Sequence, residues 1–267
     1  MIALLLVVVS LIPLDAWFLG IPVVLRMLVG GVAAVVFCWS VRQESAKHQQ
    51  RFFALAIPIA ILVFAPIHTD LGLQHIAILG AAFVSVLVIP SLMLRGQGII
   101  TFKFFPDGLQ HIDKVDVFYT LVSVFLAWGA FELYFGVLSP HVPFNWYLPE
   151  GEPDTFEVFK LFMGINAVGI WDELFFVNIC FAVIRSMYSF RFSNLAQSVI
   201  YTTVLCDMAF TGWGPVFVGF LAITQGVMYE RSKLLIWVLI VHLIVDYFLF
   251  QAIVATYYPG LEVWWHP

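Results

Sequence analysis

The chain has 267 residues, of which 62% are hydrophobic and only 11% charged, with a formal net charge of -5. Soluble domains carry about 25% charged residues, so this composition excludes an ordinary soluble domain, and the small negative charge offers no footprint for a nucleic acid. Cys38, Cys180 and Cys206 all lie in apolar stretches without CxxC or Cys/His spacing. That excludes a disulfide framework or zinc ribbon and reads them as small buried apolar residues.

A membrane-crossing helix needs about 20 apolar residues. The first run, MIALLLVVVSLIPLDAWFLG, lacks the basic start and small-residue cleavage pattern of a secretory signal, and reads as a retained segment over 2–19. Further apolar segments follow at 22–41, 52–68, 75–95, 117–138, 158–187, 195–212, 214–230 and 234–258. The tight Gly20-Ile21-Pro22 connector and the short 214–230 segment leave the count at eight or nine. The 158–187 segment is longer than a bilayer requires and predicts a tilted or protruding helix. The expected fold is all-α: a polytopic transmembrane helical bundle of eight or nine spans. It forms one membrane domain over 1–267, multi-pass in a plasma or inner membrane, with no internal repeat.

Positive charge sorts between alternate connections. Arg42, Lys47 and Arg51 follow the second segment, Arg95, Lys103 and Lys114 flank the loop after the fourth, Arg185 and Arg191 follow the sixth, and Arg231 and Lys233 follow the eighth. The connection SPHVPFNWYLPEGEPDTFE over 139–157 has no Lys or Arg and four acids. The positive-inside rule therefore puts the basic loops in the cytoplasm and the acidic loop outside. Trp264 and Trp265 suit an interfacial belt.

The chemistry concentrates in ionisable residues stranded within apolar segments: Asp172 and Glu173 in GIWDELFFVNIC, Asp207 in YTTVLCDMAF, and His242 with Asp246 in WVLIVHLIVDYF. Such groups are costly at bilayer depth and survive where they face a bundle interior, a cavity or a partner. Asp172 and Glu173 are neighbours, which point about 100° apart on a helix, so one is expected to address the site and the other to anchor it. Asn166, seven residues before Glu173, shares its face and is its expected hydrogen-bond partner. His242 and Asp246, four apart, share a face, and the carboxylate can fix the imidazole tautomer. Glu132 is a further intramembrane acid without a motif around it. The expectation is one polar cavity that gathers Asp172 or Glu173 with Asp207 and His242.

Over residues 158–250 the chain resembles the CPBP family of intramembrane proteases, which includes CAAX prenyl endopeptidases and bacteriocin-processing or immunity proteins. Asp172-Glu173-Leu174-Phe175-Phe176 is similar to the family's EELFF, with Asp for the first Glu, and His242 with Asp246 matches its HxxxD motif. Asp207 stands where the second motif usually has His, and Val177, one turn after Glu173 and so expected on its face, stands where the first motif has Arg. The resemblance implies an endopeptidase that cleaves a membrane protein or peptide in the lipid bilayer by activated water. It assigns Asp172 the acid/base role, Glu173 a supporting role, and His242 with Asp246 oxyanion stabilisation or water orientation. The absent imidazole leaves three readings open. Asp172 and Asp207 could act as a carboxylate dyad, or Asp172, Asp207, His242 and Asp246 could hold a divalent metal. The third is a non-catalytic protein acting in binding, immunity or regulation. Buried acids also mark ion pathways, which keeps a transporter among the expectations.

Overall fold

Backbone amides and carbonyls without water must pair with one another, and within a single apolar segment only a helix achieves that. The computed structural model, which describes residues 23–65, 72–107, 113–138, 153–206, 214–258 and 260–264, is all-helical, with no strand among the described residues. In chain order the helices are α1 (Val23–Val41), α2 (Ala46–Phe64), α3 (Leu73–Met93), α4 (Lys114–Phe131), α5 (Thr155–Asp172), α6 (Ala182–Arg185), α7 (Phe190–Cys206), α8 (Gly214–Ser232) and α9 (Leu235–Tyr257). Two π-helical stretches continue them without a break: π1 (Glu132–Leu138) extends α4, and π2 (Glu173–Phe181) joins α5 to α6.

Among the described residues four helices are long and apolar enough to cross a membrane: Leu73–Met93, Lys114–Val137, Thr155–Arg185 and Leu235–Tyr257. These four support a membrane protein. They coincide with the segments expected at 75–95, 117–138, 158–187 and 234–258, and the longest is the 31-residue run through α5, π2 and α6. Helices also form at four more expected segments, as α1, α2, α7 and α8, without joining those four. The 2–19 segment lies outside the described residues.

Polar side chains mark where helices start. Asp154 caps α5 in a reciprocal capping box with Glu157, accepting from its backbone N–H at 2.7 Å, and so satisfies donors that the first turn leaves orphaned. Asp113 caps α4 by accepting from the N–H of Val115 at 2.9 Å. That bond, with Arg231 beside it at 2.7 Å, holds the Asp113 carboxyl below its usual range.

The stretch π2 is the hub. It touches α3, α5, α7, α8 and α9, and Phe175, Phe176, Val177, Ile179, Cys180 and Phe181 are all buried. Trp171 stacks on Phe83 with ring centroids 3.8 Å apart, and its indole N–H donates to the Phe83 carbonyl at 3.1 Å, which pins α5 to α3. Phe176 stacks on Tyr201 at 4.4 Å and sets α7 against π2. Trp264 is exposed and stacks on Tyr247 at 6.1 Å, while Trp265 lies outside the described residues.

The basic connections come together at one end of the bundle. Arg51, buried, donates to the Gln97 side-chain oxygen and to the Ser186 carbonyl that closes α6, both at 3.1 Å. Arg185 pairs with Glu230 at 3.1 Å, and the N–H of Leu235 donates to the Lys103 carbonyl at 2.9 Å. A polar end of this kind is suited to the cytoplasmic interface. In a background without native cysteines, Gln43→Cys at this end should react with an impermeant maleimide only from the cytoplasmic side. Thr155→Cys, at the start of α5, should react only from the opposite side. Labelling of both from one side would overturn this orientation.

Candidate functional site

Neighbouring residues on a helix point about 100° apart, and that divergence lets Asp172 and Glu173 reach the two nitrogens of one imidazole, at the point where α5 passes into the wider π2. His242 lies between the two acids. Its Nδ1 is 2.6 Å from Glu173 Oε1, and its Nε2 is 3.7 Å from Asp172 Oδ2. Asp246, one turn further along α9, brings Oδ1 to 3.5 Å from the same Nε2.

Tyr201 of α7 completes the cluster. Its hydroxyl is 3.3 Å from Glu173 Oε1 and 3.0 Å from His242 Nδ1. The network is satisfied when Nδ1–H and the phenol both donate to Glu173, which leaves the Nε2 lone pair directed toward Asp172 and Asp246. All five side chains are buried. Among the described residues Asp172 Oδ1, Glu173 Oε2 and Asp246 Oδ2 have no hydrogen-bond partner, a costly arrangement away from water and therefore a mark of a site.

The cluster lies at the edge of a cavity of about 920 Å³ bounded by α3, α4, α5, α8 and α9, within the range of about 300–1,000 Å³ typical of ligand pockets. Asp172, His242 and Asp246 line it, whereas Glu173 and Tyr201 stand behind them. From Phe156 to Asp172 its α5 wall rises about 24 Å at 1.5 Å per residue. Most other lining residues are aliphatic or aromatic. Gly169 permits the close packing: a Cβ there would overlap Asp246 Oδ2 and lie 2.7 Å from His242 Cδ2.

The structure thus brings together four of the five expected site residues, Asp172, Glu173, His242 and Asp246. Asp207 lies outside the described residues. Two expectations are corrected. Asn166 does not hold Glu173; its amide donates to the Phe162 carbonyl at 2.8 Å on its own helix, and His242 with Tyr201 takes the place expected of it. Val177 does not face Glu173 either, because the π-turn places it in an apolar cluster with Phe181, Tyr229, Leu235 and Val238. Tyr201 and Gly169 were not foreseen. A lone Tyr in an apolar helix carries no spacing signal, and only the small residue three before Asp172 hinted at close approach. Glu132 opens π1 and is not one of the residues that line the cavity. Among the described residues no three His, Cys, Asp or Glu side chains are arranged to hold a metal ion.

No family model, no curated protein and no solved structure matches the chain.

Gly169→Ala tests the packing around the cluster. The added methyl must displace the Asp246 carboxylate, an overpacking cost of about 1–3 kcal/mol. The variant should insert normally but melt at a lower temperature in detergent, and an unchanged melting temperature would contradict the close approach.

Proposed function

We propose that the chain is an intramembrane hydrolase of the CPBP type, an endopeptidase that cuts a membrane-associated peptide with activated water. The observation that carries this reading is the imidazole of His242. One nitrogen is pinned by Glu173 and Tyr201 at 2.6 and 3.0 Å, and the other faces a large apolar cavity between two carboxyl groups. An orienting acid, an imidazole and an open second nitrogen make a general base.

In this reading Glu173 fixes the tautomer, and Nε2 takes a proton from a water as its oxygen attacks the scissile carbonyl. The C–N bond then breaks, and Nε2–H returns the proton to the leaving amine. Asp172 stabilises the imidazolium formed in between, and Asp246 flanks Nε2 from its own helix and orients the water. The role that the family resemblance gave to Asp172 thus passes to His242, with Asp172 beside it. The apolar cavity suits a peptide held in a hydrophobic conformation. We assign the same proposal eight or nine spans, a plasma or inner membrane and a cytoplasmic basic end.

Purified protein in detergent should cleave a fluorogenic transmembrane peptide. His242→Ala and Asp172→Asn should each reduce kcat by roughly 10²–10⁴, the usual contribution of general acid–base catalysis. Glu173→Gln should act on kcat rather than KM. Equal cleavage by wild type and His242→Ala would overturn the mechanism. A second reading, a non-catalytic binding or regulatory protein, draws support from the closed triangle of Glu173, Tyr201 and His242. Absence of cleavage by correctly folded wild type would favour it.

A further inference from the structure

A hydrolytic site at the edge of an apolar cavity needs a separate route for water. The cavity offers a poor one, since Phe156, Phe159 and Phe220 on its lining are exposed on the apolar outside of the bundle. A polar line approaches the cluster from behind. On α7, Asn194, Gln197 and Tyr201 stand at i, i+3 and i+7, on one helical face. Asn194 lies one turn inside the basic end, and the rise from it to Tyr201 is about 10 Å. Asn194 is 6% exposed, and Gln197 and Tyr201 are 0% exposed. Next to Gly226 on α8, Gln225 is also 0% exposed and turns to α9.

These carboxamides are only partly satisfied. Asn194 donates to the Ile223 carbonyl at 3.0 Å and Gln225 to the Val238 carbonyl at 3.0 Å. Asn194 Oδ1, Gln225 Oε1 and both polar atoms of Gln197 have no partner among the described residues. Gly226 is where two of them meet: a Cβ there would overlap Asn194 Oδ1 and lie 3.5 Å from Gln197 Oε1. Leaving such groups unpaired away from bulk water carries their full desolvation penalty. The requirement is for a species that both donates and accepts, since Gln197 presents an unpaired N–H as well as an unpaired oxygen. A cation would satisfy only the oxygens. Water meets both needs, and buried water is the usual occupant of polar, enclosed sites.

We propose that the seam between α7 and α8 holds a short file of bound water running from the basic end of the bundle to Tyr201, which joins it to Glu173 and His242. The hydration follows from the unpaired carboxamides alone. Its role as the supply of hydrolytic water rests on the hydrolase reading.

Hydroxyl-radical footprinting by synchrotron radiolysis, on the full chain in lipid nanodiscs, tests it, because this chemistry labels side chains beside bound water. With rates corrected for the intrinsic reactivity of each ring, Tyr201 should label several-fold faster than Phe181, which is as deeply buried in a different, apolar cluster and off the cavity lining. Gln197→Leu should bring Tyr201 down to the Phe181 rate, and Gln197→Asn should restore it. In wild type cleaving the peptide, Gln197→Leu should lower kcat and leave KM unchanged. A Tyr201 rate no greater than that of Phe181 in wild type would overturn the water file, whatever the variants do. Rapid Tyr201 labelling in a wild type that cleaves nothing would leave the file standing and remove the hydrolase reading. Cleavage without Tyr201 labelling would do the reverse.

Discussion

The whole arrangement depends on one constraint: a carboxyl group far from water must find its partners inside the protein. The contact between Glu173 and His242 at 2.6 Å is where this chain meets it. It ties the middle of the 31-residue helix through α5, π2 and α6 to α9, and Tyr201 brings α7 to the same point. Because three elements converge there on polar groups, the surrounding aromatic packing inherits its register. Phe176 stacks on Tyr201, and Trp171 stacks on Phe83 two residues before Glu173. The polar cluster and the apolar core are therefore one device seen from two sides.

The four carboxyl and imidazole side chains divide into two tiers. Glu173 sits behind His242, fully enclosed, and fixes its orientation. Asp172 and Asp246 stand on the cavity side and set the surroundings of the free nitrogen. Adjacent residues in the chain thus serve opposite faces of one imidazole ring. A buried acid that orients an imidazole while a second group works on its far side is a common solution wherever a histidine must exchange protons.

Much of this was legible in the sequence. Long apolar runs marked the helices, since helix formation there follows from hydropathy and length alone. The stranded acids and His242 marked the site, since charge in an apolar run needs a reason. What escaped was what depends on exact geometry. Asn166 was matched to Glu173 by counting along a regular helix, and Val177 was placed on the Glu173 face in the same way. The first fails because seven residues of helix set the two side chains about 10 Å apart along the axis, and the second at the π-turn, whose presence no residue type announces. Tyr201 was invisible because a tyrosine in an apolar helix is ordinary until its hydroxyl is seen between an acid and an imidazole. Gly169 gained meaning only once Asp246 was found against it.

The π-turn also bears on how the chain tolerates change in length. Substitutions within π2 exchange one buried side chain for another, but a deletion of one residue there would do something different. The widened stretch would relax toward a regular α-helix, with better hydrogen bonds than before, and Val177 and Asn178 within it would leave their partners on α8 and α9. The helix would be improved and its packing in the bundle disturbed in the same step. Natural variation in this stretch should therefore proceed by replacement and keep its length, even where neighbouring loops gain and lose residues freely.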